Sequence, residues 1–475
     1  MRYLKSISIM LLLITLTLNS FSQKEWTLEE CINYAIENNI TVKRQELRAD
    51  AAERNYLQSK MEVLPSINAN GNHYYNSGKA INYETYSYVN EAFQQGGVGI
   101  STEITVFNGL QTYNNIKKSK LDLLAQLENV DKAKNDITLN VSTAYLQILF
   151  NKEIRDNAQQ QLDVTLEQIE KTKRLVEIGN AAKGDLLQIE AQAAAENAAL
   201  TDAENNLKLS YLDLSQLLNL QESDSFSIVI PLIPELQTDS KIDNLDDVYN
   251  IALGILPEIK SAELQVESSR KNVAISKGAI SPTLSFGYQY NSRYNEISRR
   301  VTGMQTAQAT QPTGVTESGE NVYNYYSFNT YADNYPYMDQ IKDNAGQSVY
   351  LAIRIPIFNN WRTMNNITQA KINLSDSRLN LEYQQQNLYK SIQQARTNAI
   401  AALDRYKANL QSVKSSEEAF RYTEQKYQVG LVDVLEYKTA KNNLNKAKSD
   451  LAQSKYQYIF RTKILDFYKG EQITL

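Results

Sequence analysis

Cysteine and histidine are almost missing from this chain of 475 residues, where Cys31 and His73 stand alone. A single cysteine excludes an internal disulfide. Two such scattered residues also fall short of a Cys/His metal cluster, and of Cys/His or Ser/His catalysis. The residues therefore point away from an enzyme, with no cofactor and no metal. An excess of one charge is lacking too: 49 Lys and Arg face 54 Asp and Glu, a formal net charge of −5. That mild acidity speaks against nucleic acid as a partner. Long apolar runs are equally scarce. The one clear case, Ile7 to Leu18, follows Arg2 and Lys5 and precedes Ser20-Phe21-Ser22, small residues at the two positions a signal peptidase reads. Residues 1–22 thus read as a secretory signal peptide, with Gln23 starting the mature chain. Cys31 lies too far beyond the run, and lacks the small residues before it, to be a lipoprotein cysteine. No later segment approaches the ~18 to 20 apolar residues of a membrane helix. Entry into a membrane would need β-strands closed into a barrel, because lipid does not tolerate open sheet edges.

What is present is written twice. Thr27-Leu28-Glu29-Glu30 overlays Asn244-Leu245-Asp246-Asp247, and at the same offset Ala35 meets Ala252, Val42 meets Ile259 and Pro65 meets Pro282. After a longer insertion the register resumes: Phe107-Asn108 meets Phe358-Asn359, Asn114-Asn115-Ile116 meets Asn365-Asn366-Ile367, and Gly179 meets Gly430. Two repeats follow, residues 23–235 and 236–475, with Pro231 and Pro234 at the join. Each reads as helix, strand, loop, strand, very long helix, turn and helix. Proline and glycine are absent from Leu110 to Ile178 and from Asn359 to Val429, and such gaps favour uninterrupted helices. The helical hairpins are expected over about 108–220 and 359–469. A 3–4 apolar spacing through Ile116, Leu123, Leu127, Val130, Ile137, Val141, Ala144 and Ile148 predicts a coiled-coil seam. Its counterpart runs through Ile367, Leu374, Leu381, Leu388, Ile392, Ala395 and Ala399.

Four segments alternate with the period of a strand: about 66–75, 97–107, 283–291 and 348–358. In the last, Val349, Leu351, Ile353, Ile355 and Ile357 alternate with Tyr350, Ala352, Arg354 and Pro356. Each has the length of a tilted transmembrane strand. The intervening stretches, Asn76–Gly96 with Tyr83 and Tyr86 and Asn295–Gln347 with six tyrosines, read as external loops or as plain soluble ones. Two chains would give 8 strands, whose interior side chains fill. Three give 12, which enclose a passage, so a homotrimer is the smallest assembly that closes the sheet around a lumen. Glu103 and Arg354 hold equivalent polar-face positions. They either line that lumen and neutralise each other or are solvated independently.

The doubled plan resembles the TolC-like outer-membrane efflux protein family. The likeness rests on a strand entering Ile355-Pro356-Ile357-Phe358-Asn359-Asn360, and on the turn Val429-Gly430-Leu431-Val432-Asp433-Val434-Leu435-Glu436. It spans essentially the whole mature chain. The family's small or acidic pair after the strand is Asn359-Asn360 here and Asn108-Gly109 in the first half. The resemblance implies a mixed α and β fold: a twelve-stranded barrel in a trimer above a periplasmic α-barrel of long antiparallel helices. It implies outer-membrane location, and docking to a periplasmic adaptor (a membrane fusion protein) and an inner-membrane exporter. The channel would be a passive conduit in a tripartite efflux or type I secretion system. It makes the hairpin tips the adaptor contacts, namely Val176, Gly179, Asn180, Ala181, Val429, Gly430, Leu431 and Val432. Asp433 and Glu436 match the family's acidic ring at the tunnel entrance, with Tyr427 and Asp185 as further entrance residues. Asp433 with Glu436 also reads as a capping box, and Asp185 with Gln188 as the same device in the first half. A structural coiled-coil envelope protein without a pore is the alternative reading. An ordinary porin would have more strands and no long helices.

Overall fold

The computed structural model describes residues 25–82, 87–220, 226–231 and 242–474. The expected signal peptide, Tyr83, Tyr86 and Pro234 lie outside the described residues. The first half contains β1 (Glu25–Trp26), α1 (Leu28–Asn38), α2 (Ile40–Met61), β2 (Ser66–Asn82), β3 (Ser87–Phe107), α3 (Gln111–Glu177), α4 (Lys183–Leu218) and β4 (Ser227–Ile228). The second contains α5 (Leu245–Ile255), α6 (Pro257–Gly278), β5 (Thr283–Asn295), β6 (Val301–Gln308), β7 (Gly314–Val315), β8 (Asn321–Val322) and β9 (Tyr325–Tyr331). It then continues with α7 (Tyr337–Asp343), β10 (Gly346–Arg354), α8 (Arg362–Gln428) and α9 (Val434–Tyr468). Helices α3 and α8 have 67 residues each, roughly 100 Å at the helical rise. Contacts divide the chain into two compact units, one of residues up to Arg54, Lys120–Ser269 and Asn373–Leu475, the other of Asn55–Ser119 and Arg270–Ile372.

The first unit is helical, and its main core gathers both ends of the first half. Helix α1 opens on a capping box, with Thr27 Oγ1 accepting from Glu30 N at 3.2 Å and Glu30 Oε2 from Thr27 N at 3.0 Å. Leu28, Cys31, Ile32 and Ala35 then bury one face, the spacing of an amphipathic helix. They pack with Val141, Tyr145, Ile148, Leu214 and Leu218. Full burial of each large aliphatic side chain contributes about 1.5–3 kcal/mol. Tyr145 is 1 % exposed, and its hydroxyl donates to Val229 O at 2.6 Å and Trp26 O at 3.3 Å, beside the short parallel β1–β4 ladder. Cys31 sits in this core, where burial pushes its thiol up to about 12.

The single helix expected at the start of each half is two. Asn39 and Leu256 interrupt them with extended backbone, ψ 131° and 129°. Pro257 forces the second break, because the residue before proline is driven from the helical region and proline fits the next helix's first turn. In the first half Asn39 does this with its side chain. Its Oδ1 accepts from Thr41 N and its Nδ2 donates to Leu217 O, both at 2.8 Å. The seam of α3 also departs from expectation at Leu127, which is 46 % exposed while Ala125 is fully buried.

The second unit is built on a four-stranded antiparallel sheet in the order β10-β5-β3-β2. Three strands are longer than the apolar alternation suggested. β2 and β3 pair without interruption from Ser66↔Glu103 to Asn82↔Ser87, so most of the expected 76–96 loop is hairpin. β5 continues to Asn295. β10 instead stops at Arg354, short of the expected 358, because Pro356 lacks a ladder donor and holds Ile355 off the pairing geometry. The expected 295–347 loop carries the β6–β9 hairpin, the β7–β8 pair and α7.

Register sorts the sheet into two faces, since rungs share a side. Val349, Leu351 and Ile353 of β10 share rungs with Tyr288, Phe286 and Leu284 of β5. Ile100 and Ile104 of β3 lie opposite Tyr290 and Phe286, and Ile67 of β2 opposite Thr102. That face is apolar and open, with Leu351 64 % and Ile353 66 % exposed. The other carries Asn68, Asn70, Asn72, Ser101, Glu103, Gln289, Asn291, Ser348, Tyr350 and Arg354.

β3 and β10 each turn into their long helix through two left-handed residues, Gly109 and Leu110 (φ 67° and 62°) and Asn360 and Trp361 (φ 56° and 64°). Asn108 and Asn359 cap the elbows alike. Asn108 Nδ2 donates to Thr112 Oγ1 at 2.8 Å and Asn359 Nδ2 to Thr363 Oγ1 at 2.6 Å. Left-handed backbone costs an L-residue roughly 1–2 kcal/mol. At Gly109 a Cβ would also overlap Gly278 O and Ser281. Gly109→Ala is therefore expected to lower thermal stability by at least ~1 kcal/mol, while Asn360→Gly leaves it unchanged or raises it slightly. Thermal melts of the two purified variants against the parent check this, and equal melts would remove the elbow's conformational demand.

Candidate functional site

The hairpin tips of the helical unit are built by one device used twice. Gly179 and Gly430 are left-handed, φ 79° and 74°. Asn180 N donates to Leu175 O at 2.7 Å and Gly179 N to Val176 O at 3.0 Å. Leu431 N donates to Lys426 O at 2.9 Å and Gly430 N to Tyr427 O at 3.0 Å. These bonds, six-to-one and five-to-two, form the Schellman motif that satisfies a helix's last carbonyls. Around it Val429 is 70 % and Leu431 74 % exposed, Asn180 is exposed, and Val176, Ala181 and Val432 are half-buried. Ile178, 69 % exposed, belongs with them. The repeat register would have found it, since it stands opposite Val429.

Asp433 is the N-cap of α9, its Oδ1 accepting from Glu436 N at 2.8 Å. The expected capping box has this one arm. The first half departs further. Helix α4 begins at Lys183 with Ala182 as N-cap and no side-chain cap bond, so Asp185 lies inside the first turn and does not cap with Gln188. At the repeat offset Ala182 is the counterpart of Asp433 and Asp185 that of Glu436. Asp185 and Glu436 are thus acidic residues in helix first turns, favourable beside the positive end of a helix dipole. Tyr427 stacks on Tyr437 of its own hairpin with centroids 4.8 Å apart. Burial pushes the Tyr437 phenol up to about 12.

Below the tips lies a polar group the sequence reading passed over. Glu196 of α4 and Lys441 of α9 are 6 % and 8 % exposed in their side chains and 3.6 Å apart. Glu196 accepts from Gln161 Nε2 at 2.8 Å, from Gln192 Nε2 at 2.6 Å and from the Thr165 hydroxyl. Lys441 Nζ donates to Gln161 O at 3.0 Å and Thr165 Oγ1 at 2.5 Å. Three helices, α3, α4 and α9, are thereby joined through one buried charge pair. Burial pulls the Lys441 ammonium below the ordinary lysine range, and Glu196 opposes that pull. A signal existed in the sequence. Glu196 interrupts the stripe Ile189, Ala193, Leu200, Ala203, and Lys441 interrupts Val434, Tyr437, Leu444, Ala447, each at a position facing inward.

In the sheet, Glu103 lies opposite Gly287, and Gly287 opposite Tyr350. The Tyr350 ring covers Gly287, where a Cβ would overlap it, and its hydroxyl donates to Glu103 Oε2 at 3.1 Å. Arg354 lies opposite Thr283. Within one chain Glu103 is therefore engaged by Tyr350, not by Arg354. Among the described residues no group of His, Cys, Asp and Glu is arranged to hold a metal ion, and no helix is long and apolar enough to cross a membrane.

Comparison with known proteins places this geometry. The chain belongs to the outer membrane efflux protein family, whose sequence model matches it twice, over residues 31–220 and 248–466. It is 22 % identical to the outer membrane efflux protein BepC of Brucella suis over 433 residues, 91 % of this chain and 83 % of that protein. It is 20 % identical to the outer membrane protein TolC of Vibrio cholerae over 454 residues, 94 % and 92 % of the two chains. The crystal structure of VceC from Vibrio cholerae superposes with a TM-score of 0.72 at 15 % identity, over 94 % of this chain and 96 % of that one. The fold is that of a TolC-like channel, and membership makes the chain an outer-membrane efflux channel.

The buried pair yields a sharp expectation. Removing one member of a buried ion pair strands the other and costs about 3–5 kcal/mol, whereas replacing both with apolar groups is near neutral. Lys441→Met alone and Glu196→Leu alone should each be destabilised by that amount, and the two together should recover most of it. Thermal unfolding followed by circular dichroism tests the cycle, and two single variants as stable as the parent would show the pair to be solvated.

Proposed function

We propose that the protein is a passive conduit assembled from three copies, with a twelve-stranded barrel in the outer membrane and a helical tunnel in the periplasm. The observation that carries this reading is the sheet. It has one open apolar face, one polar face and two unpaired outer strands, β2 and β10. Every neighbouring pair is antiparallel, so β2 and β10 run in opposite directions. The β10 of one copy can therefore continue the ladder onto the β2 of the next, a head-to-tail contact that closes into a ring. Three copies leave a lumen and remove every edge that lipid would punish. The two halves of the chain, as an internal repeat, each supply two strands and one helical hairpin.

In this reading the polar face, with Glu103 and Arg354, lines the passage. The exposed tips around Gly179 and Gly430 receive a periplasmic adaptor, which connects the channel to an inner-membrane exporter. Asp433, Glu436 and Asp185 give the tunnel entrance a negative potential that favours cations, and Tyr427, packed on Tyr437, helps hold the entrance helix in place. Energy comes from the exporter, and the channel itself performs no chemistry.

The mature protein, extracted in detergent, should migrate as a trimer that boiling converts to monomer, and should give discrete conductance steps in planar bilayers. A pore-free envelope coiled coil would give neither, and a water-soluble monomer without conductance overturns the proposal. Glu103→Gln should change single-channel conductance or ion selectivity, and an unchanged record would take Glu103 out of the lumen.

A further inference from the structure

The chain between β5 and β10 holds a short helix, α7, to which the channel reading above gives no role. Helix α7 is fixed to the C-terminal end of β5. Gln340 is 1 % exposed; its Nε2 donates to Tyr335 O at 2.8 Å and its Oε1 accepts from Asn295 N at 3.0 Å. The Ser292 hydroxyl donates to Ile341 O at 2.7 Å. The Tyr337 ring lies 4.9 Å from that of Tyr294.

The face on which α7 sits is the informative point. Ser292 and Tyr294 alternate in step with Leu284, Phe286, Tyr288 and Tyr290, so they belong to the apolar face of the sheet. The helix therefore lies on the side turned away from the polar face. Its height follows from the strand. Leu284 to Tyr294 is the run of about 9–11 residues that crosses a bilayer when tilted, which puts Tyr294 where hydrocarbon gives way to headgroups. Tyr75 of β2, 71 % exposed, shares this face and stands opposite Gln94, one same-face step beyond the Gly96–Tyr294 rung. On α7 itself Tyr337 is 40 % and Met338 61 % exposed. Of the neighbouring charges, Asp343 is engaged by Arg300 at 3.3 Å and by the Tyr335 hydroxyl at 3.1 Å, while Asp339 and Lys342 also stand on the helix, where a headgroup layer can solvate them.

We propose that α7 is an interfacial anchor. Tyr337 and Met338 rest in the boundary layer between lipid headgroups and acyl chains, beside the mouth of the channel and outside its lumen. A tyrosine, with an apolar ring and a polar hydroxyl, favours that layer, the unbranched apolar side chain of Met338 suits its acyl side, and the docked helix presents both at little entropic cost because its backbone is already held. The partner is a lipid surface, continuous with the lipid contacted by Val349, Leu351 and Ile353. This inference rests on the membrane-spanning reading of the sheet.

Site-directed labelling of the full-length channel in vesicles tests it. With Cys31→Ser as background, a fluorescent label goes on Met338→Cys, on Leu351→Cys in mid-sheet, or on Thr316→Cys beside the β7–β8 pair. Nitroxide lipids labelled near the headgroup or near the acyl end serve as quenchers, with iodide reporting water. Each variant is first shown to retain its heat-modifiable migration. The Met338 label should be quenched several-fold more by the shallow lipid than by the deep one, Leu351 more by the deep one, and Thr316 by iodide alone. A Met338 label quenched only by iodide, or mainly by the deep lipid, overturns the anchor while leaving the channel reading standing. A Leu351 label untouched by either lipid overturns both.

Discussion

An unfinished ladder of backbone hydrogen bonds is the constraint on which the rest of this protein depends. Four strands with one apolar face leave two rows of unpaired amides and carbonyls, along β2 and β10. In water such edges invite aggregation; in hydrocarbon each unpaired group costs several kcal/mol. The proposed trimer answers both costs with the same contact. It also gives the glycines a role. Gly97, Gly99 and Gly287 all fall on the polar face, where Gly287 makes room for the Tyr350 ring and Gly99 lies against the Asn70 amide. In that proposed trimer, a lumen face built of Asn, Gln, Ser and covered glycine would stay hydrated without carrying much charge.

The helices meet this sheet through elbows that need unusual backbone. Two consecutive left-handed residues follow β3 and two follow β10, at equivalent places in the two halves. An asparagine before each pair bonds to the threonine four residues on. Only one of the four left-handed positions is glycine, so the strain at Leu110, Asn360 and Trp361 must be offset by packing and by the caps. Repetition of this arrangement, with different side chains at the left-handed sites, argues that the direction of the turn is what both halves retain.

Much of this was legible in the sequence, and the exceptions have physical causes. The long helices could be read because proline and glycine are absent across them, and the tips because a single glycine closes each. The central strand positions could be read because alternation is strong wherever one face is apolar. Beyond that band the ladder continues through residues such as Asn76, Ser77 and Lys79, whose polarity resembles a loop although their backbone pairs as strand. At the other end Ile355 and Ile357 keep the alternation while Pro356 ends the pairing, so hydropathy alone overran the strand. The break at Asn39 left no proline as a mark and was visible only by analogy with Leu256-Pro257. Asp185 with Gln188 has the local pattern of a cap, but the repeat register makes Asp185 the counterpart of Glu436, inside the first turn.

The pair of Glu196 and Lys441 was missed for a different reason: charges inside a helix seam look like surface. Their burial is weak evidence for stability, since two desolvated charges recover at best what they lost. What the pair supplies is discrimination between registers. If α9 slid by one turn, Lys441 would leave Glu196 and Thr165 and face the apolar stripe formed by Ile189, Ala193 and Leu200, while Glu196 would lose its cation. Apolar residues alone would tolerate that slip, because the stripe of α9 repeats at the same spacing on either side of Lys441. The hairpins are long, regular and tipped by exposed apolar residues, so a penalty against sliding is needed where regularity provides none. One buried charge pair with each member hydrogen-bonded provides it, and it does so about two to four turns from the tips, where a displacement would move Val429 and Leu431 most directly.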